Sequence, residues 1–413
     1  MTAANTGAGP TGAGAQPAAH HRVIVVGGGN GGVSAAARLL RRGVTDVALI
    51  EPRDVHEYKP LFSHVAGGTA RISETMRPQR SVMPRDVTWI RDAVVQVDPA
   101  RSVVQLAGGG EVGYDQLVLS PGMQKDWASV PGLAESIGTG DVTTHYEGDL
   151  AARTSLRLRD LRRGTVVFTQ PAGPASCAGA AQKPLYQACD YWQRTGVLGD
   201  IRAVLVVPDK TVFGIEAFDR EIQRAVDRYG IELHTDSALI EVDADRTEAV
   251  IASPTGIERI RYDLLSVTPP QSAPEWIRAS GLAADDDPDG FVEVDPETLR
   301  HPRFVNVWGL GDAAATTNSK SGGALRKQTM VLAKNLAAVL AGKEPTARYD
   351  GYGVCPMTVS RASVVWAEFG PSGELMPTIP FLRRMYRESR LSWFFDRRVL
   401  PWVYWNLILT GRV

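Results

Sequence analysis

The sequence predicts an α/β fold in which short buried strands alternate with helices, and three features predict it. An all-apolar run at residues 23–26 is followed by a glycine-rich turn and then by a helical stretch. The same order recurs at residues 165–170, with a helix that begins near Gln182 and Lys183. The length of 413 residues is sufficient for two or three domains, each with its own core.

The composition excludes several classes of function. Lys and Arg total 45 against 46 Asp and Glu, and this near-neutral balance argues against a nucleic-acid partner. Three cysteines are too few for a disulfide-stabilised secreted scaffold, so we expect a reducing compartment. No metal site is expected, because the cysteines and histidines show no ligand spacing.

The first nineteen residues contain no charged side chain, and we predict a disordered tail. They lack the positive start of a secretory signal and the arginines of a mitochondrial transit peptide. No apolar run reaches the ~18–20 residues that cross a bilayer, so a transmembrane protein is not expected.

The segment after this tail predicts a dinucleotide site. Gly27, Gly29 and Gly32 form a G-x-G-x-x-G turn between the first strand and a helix at residues 33–42. The glycines permit a tight turn, close approach of a pyrophosphate, and close packing of helix on strand. A second strand at 47–50 ends on Glu51, which is placed to accept hydrogen bonds from a ribose. The predicted cofactor-binding residues of this turn are Gly27, Gly29, Asn30, Gly31 and Gly32.

Two further strands indicate which dinucleotide is bound. Residues 114–122 form a strand that ends in a turn at Gly122, and residues 304–312 form another that ends on Gly311-Asp312. Flavoproteins with two dinucleotide-binding domains resemble this pattern, since one strand leads out of the FAD domain and the other closes it on return. In such proteins the Asp binds the ribityl or pyrophosphate region, so FAD is the expected cofactor. The alternative for Asp312 is a simple turn former.

A second Rossmann-like domain is expected between these strands, with a degenerate nicotinamide site. The turn after residues 165–170 contains Pro171 and Pro174 instead of a glycine fingerprint, and proline offers no N–H to a phosphate. Cys177 follows at the start of a helix. The helix dipole and a nearby ammonium both favour its thiolate, which is the nucleophilic form. The alternative is a buried, inert cysteine.

From residue 22 almost to the C-terminus, the sequence resembles the type II sulfide:quinone oxidoreductases. The segments that carry this resemblance are distributed along the whole chain. They are Glu51-Pro52, His56-Glu57-Tyr58-Lys59-Pro60-Leu61, Cys177-Ala178-Gly179-Ala180-Ala181-Gln182-Lys183, Val267-Thr268-Pro269-Pro270-Gln271-Ser272-Ala273-Pro274, Gly309-Leu310-Gly311-Asp312 with Asn318-Ser319-Lys320, Tyr349-Asp350-Gly351-Tyr352, and Tyr404-Trp405-Asn406.

The resemblance implies an FAD enzyme that oxidises sulfide, or another small thiol donor, to a persulfide and passes two electrons to a membrane quinone. It implies FAD contacts at Glu51 with Pro52, at Lys59 with Pro60, and at Val94. It places Pro269 and Pro270 near the flavin and the quinone.

One departure from the family concerns its two redox cysteines. The resemblance implies that Cys177 is one of them and that the second follows Gly311-Asp312 directly, where this chain has Ala313. Cys189 is up to ~18 Å from Cys177 along one predicted helix, which is too far for a disulfide. Cys355 matches a further family cysteine, which we interpret as structural. The expectation is therefore one-cysteine chemistry, in which the Cys177 thiolate attacks the flavin, sulfide displaces it, and an external thiol removes the outer sulfur.

A helix from residue 321 to about 340 is predicted to direct its N-terminus at the flavin. Its positive dipole, together with Lys320, would stabilise negative charge on the reduced ring, and this makes Lys320 a candidate catalytic residue beside Cys177. The alternative for Lys320 is a solvated loop lysine.

The C-terminal segment combines arginines with aromatic residues, and this composition predicts a membrane-interface anchor. Trp402 and Trp405 are the candidate quinone-side residues. The expected location is peripheral, on the cytoplasmic side of a membrane. The alternatives are helices docked on the protein's own core or a contact in a homodimer.

The predicted organisation has five parts. They are a tail at 1–19, the first part of the FAD domain at 20–125, the inserted Rossmann-like domain at 126–285, the second part of the FAD domain at 286–345, and the membrane and quinone segment at 346–413. Two other functions stay open, a flavin-dependent NAD(P)H:quinone reductase and a non-catalytic redox-sensing flavoprotein.

Overall fold

The computed structural model describes residue 17, residues 19–378 and residues 383–413. Almost all of the predicted tail at 1–19 lies outside this range. The first strand already begins at Ala19, four residues before the predicted apolar run.

Strands and helices alternate along the first three-quarters of the chain. The strands are β1 (Ala19–Val26), β2 (Val47–Ile50), β3 (Val55–Glu57), β4 (Met76–Pro78), β5 (Val87–Ile90), β6 (Val94–Asp98), β7 (Val103–Leu106), β8 (Glu111–Leu119), β9 (Gln124–Lys125), β10 (Val142–Thr143), β11 (Gly164–Thr169), β12 (Ile201–Val206), β13 (Glu232–His234), β14 (Ala238–Asp243), β15 (Glu248–Ser253), β16 (Gly256–Arg261), β17 (Leu264–Val267), β18 (Gln271–Ser272), β19 (Val307–Gly309), β20 (Gly353–Thr358) and β21 (Val364–Phe369).

The α-helices are α1 (Asn30–Arg41), α2 (Phe62–Ala66), α3 (Gln79–Val82), α4 (Leu133–Ser136), α5 (Gly148–Asp160), α6 (Lys183–Thr195), α7 (Glu216–Tyr229), α8 (Glu275–Ala279), α9 (Gly322–Leu340), α10 (Arg390–Phe394) and α11 (Leu400–Val403). The π-helical turn Phe395–Val399 joins α10 to α11, and a second π-helical turn, Tyr404–Ile408, follows α11, so one helical stretch runs from residue 390 to residue 408.

The first sheet has the order β5-β2-β1-β8-β7-β6, and β19 pairs with β8. Strands β5, β2, β1, β8 and β19 are parallel, so their carboxyl ends lie at one edge. Parallel strands of this kind are covered on both faces, and β1 from Val23 onward is accordingly close to fully buried. Since β19 lies some 190 residues after β8 but beside it, a second domain is inserted between them.

The second sheet is parallel throughout, with the order β10-β17-β11-β12-β13. Helices α6 and α7 pack on one side of it, and the antiparallel sheet β14-β15-β16 packs on the other. The α/β class with two dinucleotide-binding-type sheets is therefore confirmed.

The C-terminal part packs against both domains. Buried and half-buried residues alternate at the start of β20, and the buried side chains of the hairpin β20-β21 join the core of the second domain beside α6. Tyr404, Trp405 and Leu409 of the helical stretch join the core of the first domain. The alternative of helices docked on the protein's own core thus holds for one face of this segment.

Candidate functional site

The glycine turn lies at the carboxyl ends of β1 and β8 and is sterically obligatory. A Cβ on Gly32 would lie 1.8 Å from the Gly27 carbonyl oxygen. Gly27 has a φ of +97°, and a Cβ there would lie 2.3 Å from the carbonyl oxygen of Ser120. A Cβ on Gly31 would meet Ser120 Oγ at 2.2 Å. Glycine is therefore required at these three positions of the connection between β1 and α1.

The N-terminus of α1 is open to a ligand. Its cap, Gly29, provides no side-chain hydrogen bond, and no atom lies within 4 Å of the position that a Cβ would take there. The first backbone N–H groups of a helix need acceptors, and phosphate oxygens provide them. Asn30 directs its Oδ1 back to the Ser34 hydroxyl at 3.1 Å. The turn thus has the donors and the space that a pyrophosphate requires.

Glu51 is buried at the end of β2 and faces the turn. Its Oε2 accepts the Gly28 N–H at 2.7 Å, and its Oε1 accepts the Arg53 N–H at 2.9 Å. Oε1 also accepts the Arg53 Nε–H at 3.2 Å. Since each carboxylate oxygen can accept two hydrogen bonds, Oε2 is the oxygen that retains capacity for a ribose hydroxyl.

The other predicted FAD residues are distributed around this edge. Lys59 begins a 3₁₀ turn that includes Pro60. Lys59 as a residue is exposed, yet partial burial of its side chain, and then the charges of Lys125 and Arg53, lower its pKa. A cation at this edge of the sheet suits a phosphate. Pro52 is exposed, and Val94 of β6 is buried in the core of the first domain. Gly122 has a φ of +78°, and no atom lies within 4 Å of the position that a Cβ would take there.

The turn at Gly311-Asp312 is held by Lys320. The Lys320 ammonium donates to the carbonyl oxygens of Asp312 and Ala314, both at 2.9 Å, and lies 3.8 Å from the centre of the Phe291 ring. Burial lowers the pKa of Lys320 to about 8. Lys320 is thus no solvated loop lysine, and its predicted part in catalysis stays a prediction. The predicted helix after it is confirmed as α9, with Ser321 as the N-cap.

The same turn holds Cys177. The Cys177 N–H donates to the Lys320 carbonyl at 2.7 Å, and the Ser176 hydroxyl donates to Asp312 Oδ2 at 2.6 Å. Tyr146 OH donates to the carbonyl oxygens of Ser176 and Cys177, at 3.2 and 3.3 Å. Cys177 has a φ of +50°, a left-handed conformation that is rare for a residue with a Cβ. Contacts from both domains fix this strained residue.

The sequence predicts a structural role for Cys355, and the structure places this residue directly beside Cys177. Cys355 Sγ lies 3.5 Å from Cys177 Sγ, because the hairpin β20-β21 packs beside α6 and presents the buried face of β20 to the Cys177 loop. The two sulfurs are in van der Waals contact, and a disulfide would require them to approach to about 2.05 Å. The premise of the one-cysteine scheme, that no second cysteine is within reach, is therefore removed.

The two thiols differ in acidity. The pKa of Cys177 lies below its usual range because the Cys355 thiol donates to its sulfur and because the Lys183 ammonium lies 3.8 Å away, although burial opposes both effects. The pKa of Cys355 is raised, since it is the donor in that contact and is itself buried. One thiolate at Cys177, beside one thiol at Cys355, is the favoured state of the reduced pair.

Gly179 makes room for this pair. A Cβ on Gly179 would lie 2.9 Å from Cys355 Sγ and 2.6 Å from Met357 Sδ. The remaining cysteine, Cys189, is fully buried in the core of the second domain, and burial raises its pKa, as expected of an inert residue. Ala313 is likewise buried in the core of the first domain.

The quinone-side candidates lie in different environments. Pro269 is buried and Pro270 is half-buried, in the loop between β17 and β18. Trp402 is 58% exposed, whereas Trp405 is 9% exposed and stacks under the Arg77 guanidinium at 4.3 Å. Placement of Trp405 at a membrane interface is therefore wrong, because its ring completes the core of the first domain.

His56 is a residue whose position the sequence did not reveal. Its Nδ1 lies 3.0 Å from the Gly28 carbonyl oxygen and its Nε2 lies 2.6 Å from Tyr404 OH. Since a carbonyl only accepts, Nδ1 carries the proton and Tyr404 donates to Nε2. Burial lowers the pKa of His56 to about 4, so the ring stays neutral. The glycine turn is thereby linked to the C-terminal helical stretch.

The described part of the chain has neither a metal-binding cluster nor a membrane-spanning helix. Across residues 19–378 and 383–413, no three side chains of His, Cys, Asp or Glu come together as metal ligands. In the same part of the chain, no helix combines the length and the apolar character needed to cross a membrane.

Comparison with known proteins gives consistent relationships. Residues 21–336 match the pyridine nucleotide-disulphide oxidoreductase family. The mitochondrial sulfide:quinone oxidoreductase of Mus musculus is 32% identical over 91% of this chain and 83% of its own length. That of Dictyostelium discoideum is 32% identical over 89% of this chain and 80% of its own.

A solved structure has the same fold. The sulfide:quinone oxidoreductase of the bacterium Aquifex aeolicus superposes with a TM-score of 0.80 at 18% identity, over 95% of this chain and 92% of that chain. With the glycine turn, Glu51 and the open helix N-terminus, these relationships identify FAD as the dinucleotide of the first domain.

Proposed function

Because the chain belongs to the sulfide:quinone oxidoreductase family, we propose that this FAD-dependent oxidoreductase oxidises sulfide at the Cys177–Cys355 pair and delivers two electrons to a membrane quinone. The observation that carries the proposal is the 3.5 Å separation of the two sulfurs at the Gly311-Asp312 turn. The pair is disulfide-bonded in the resting oxidised enzyme.

The first step is attack of HS⁻ on Cys355 Sγ. The Cys177–Cys355 bond breaks, Cys355 carries a persulfide, and Cys177 leaves as a thiolate. This direction follows from acidity, since the thiol of lower pKa is the better leaving group. The Lys183 ammonium, 3.8 Å from Cys177 Sγ, balances the charge that forms there.

The second step removes the outer sulfur. An external thiolate attacks it, the sulfur–sulfur bond of the persulfide breaks, and Cys355 is left as a second thiolate. Reformation of the Cys177–Cys355 bond then releases two electrons. Bound FAD would supply the two-electron acceptor for this step and the route to a quinone, and the residues that would hold it are those of the glycine turn with Glu51.

Stopped-flow mixing under anaerobic conditions tests the proposed donor. We expect sulfide to bleach the oxidised FAD absorbance of the purified holoenzyme, and added quinone to restore it. The missing glycine fingerprint of the second domain predicts no bleaching by NADH. Bleaching by NADH but not by sulfide would establish an NAD(P)H:quinone reductase, and bleaching by neither would indicate a non-catalytic flavoprotein.

We also propose that the chain lies peripherally on the cytoplasmic face of a membrane, through the exposed face of its C-terminal helical stretch. Leu391 and Phe394 are each 52% exposed and Trp402 is 58% exposed. All three belong to one helical stretch and are exposed, whereas Tyr404 and Trp405 of the same stretch are buried. We call these three residues the apolar stripe.

The double substitution Phe394→Ser/Trp402→Ser is expected to weaken binding to phospholipid vesicles at least tenfold, because insertion of each such side chain contributes about 1.5–3 kcal/mol. Sedimentation with vesicles measures this. Ile257→Ser is the matched control, since Ile257 is 69% exposed on β16 and should leave binding unchanged. Equal loss in the control and the double variant would contradict the assignment of the stripe.

A further inference from the structure

A polar cleft of about 490 Å³ lies between the loop after α2 and the C-terminal helical stretch. We call it the arginine cleft. It is open to solvent and separate from the glycine turn and the cysteine pair. Its lining residues are Gly68, Thr69, Ala70, Arg71, Ser73, Glu74, Arg397 and Arg398.

The charge of the arginine cleft is only partly compensated. Arg397 is buried and its charge is already paired, since it donates to Glu74 Oε2 at 2.7 Å and to the Thr69 carbonyl at 2.9 Å. Arg71 and Arg398 are exposed, and within the described part of the chain neither guanidinium forms an ion pair. Three arginines against one glutamate leave two positive charges for an anion.

Arg398 belongs to the cleft and to the exposed side of the C-terminal stretch at once. It lies between Phe394 and Trp402 in the sequence, four residues from each, and is exposed as they are. An anion in the cleft would therefore be bound at the level of the apolar stripe. A soluble anion makes no favourable contact with neighbouring apolar side chains. A phospholipid carries an anionic phosphate close to its acyl chains, so it can contact the arginines and the apolar side chains together.

We propose that the arginine cleft binds the phosphate headgroup of an anionic phospholipid while the apolar stripe enters the acyl region. The proposal rests on the membrane association proposed above and adds the headgroup chemistry to it. Arg71 and Arg398 are suited to this task because a guanidinium presents two parallel N–H donors to phosphate oxygens, which an ammonium does not. Arg397 and Glu74 form the fixed wall between them.

The test uses the FAD-loaded protein and vesicles of phosphatidylcholine with or without phosphatidylglycerol. Arg71→Lys/Arg398→Lys preserves the charge and removes the paired donors, so we expect at least a tenfold loss of affinity for vesicles that contain phosphatidylglycerol, on the scale of charged hydrogen bonds. Binding to pure phosphatidylcholine should not change. Arg390→Lys, on the same helical stretch but outside the cleft, is the control and should bind as the wild type does.

Three results would overturn the proposal. The first is equal affinity of the double lysine variant and the wild type for phosphatidylglycerol vesicles, which would indicate only diffuse attraction. The second is saturable binding of glycerol 3-phosphate without vesicles, weakened in the same variant, which would assign the cleft to a soluble phosphate ester. The third is no binding of the wild type to any vesicle, which would refute the membrane proposal itself. If vesicle binding is weakened by Phe394→Ser/Trp402→Ser but not by Arg71→Lys/Arg398→Lys, only the proposal for the arginine cleft is refuted. Unchanged FAD content in each variant shows that the fold is intact.

Discussion

Substitution of Cys355 by serine is expected to lower the kcat of sulfide-dependent quinone reduction by a factor on the order of 10³ or more, because the loss of one member of a catalytic unit removes nearly the whole contribution of that unit. Serine retains the size of the side chain but cannot form the disulfide that HS⁻ must open. Steady-state reduction of a soluble quinone analogue measures the effect.

Cys189→Ser is the matched control for Cys355→Ser, since Cys189 is a fully buried cysteine of the same core. We expect the control to retain activity near that of the wild type, with unchanged FAD content in both variants. Retention of full activity by Cys355→Ser, together with its loss in Cys177→Ser, would restore the one-cysteine scheme.

Substitution of Lys183 by methionine is expected to raise the pKa of Cys177 by about 1–3 units, the usual effect of a close opposite charge. The ammonium stabilises the thiolate and therefore lowers the pH at which it forms. Its removal moves that pH upward, so less thiolate is present at neutral pH and the leaving group of the first step becomes poorer. The pH dependence of Cys177 alkylation in the reduced protein measures the shift.

The measured shift should be partial, because the hydrogen bond from the Cys355 thiol also lowers the pKa of Cys177 and remains in the variant. Lys210→Met, at an exposed lysine of the same domain, is the control and should not move the alkylation profile. An alkylation profile that is the same in Lys183→Met and the wild type would show that the ammonium does not act on this sulfur.

Local patterns were sufficient to predict the first half of the site. The turn from Gly27 to Gly32, the acid at Glu51, and the helix that starts after Ser321 depend on neighbours within a few residues, and their steric and capping requirements are visible in the sequence. A lowered pKa of the Cys177 thiol could also be inferred, since Lys183 lies only six residues further along the chain, at the first position of α6.

Long-range packing determined what the sequence did not reveal. Cys355 is separated from Cys177 by 178 positions, and only the docking of β20-β21 on α6 brings their sulfurs together. The available signal was the alternation of β20, which places Cys355 and Met357 on one buried face, but the pattern does not say which core that face joins. The composition of the aromatic, arginine-rich C-terminus likewise does not distinguish surface from core positions. Trp402 is exposed, whereas Trp405, in the same segment, is buried in the core of the first domain.

Mass spectrometric mapping of the cysteines tests the central claim most directly. The FAD-loaded protein is oxidised with quinone, alkylated, and digested without a reducing agent, and then the sample is compared with one treated with sulfide. We predict a disulfide-linked peptide pair that contains Cys177 and Cys355 in the first sample, and an alkylated persulfide on Cys355 in the second. Three alkylated thiols after oxidation, with no linked pair, would contradict the account.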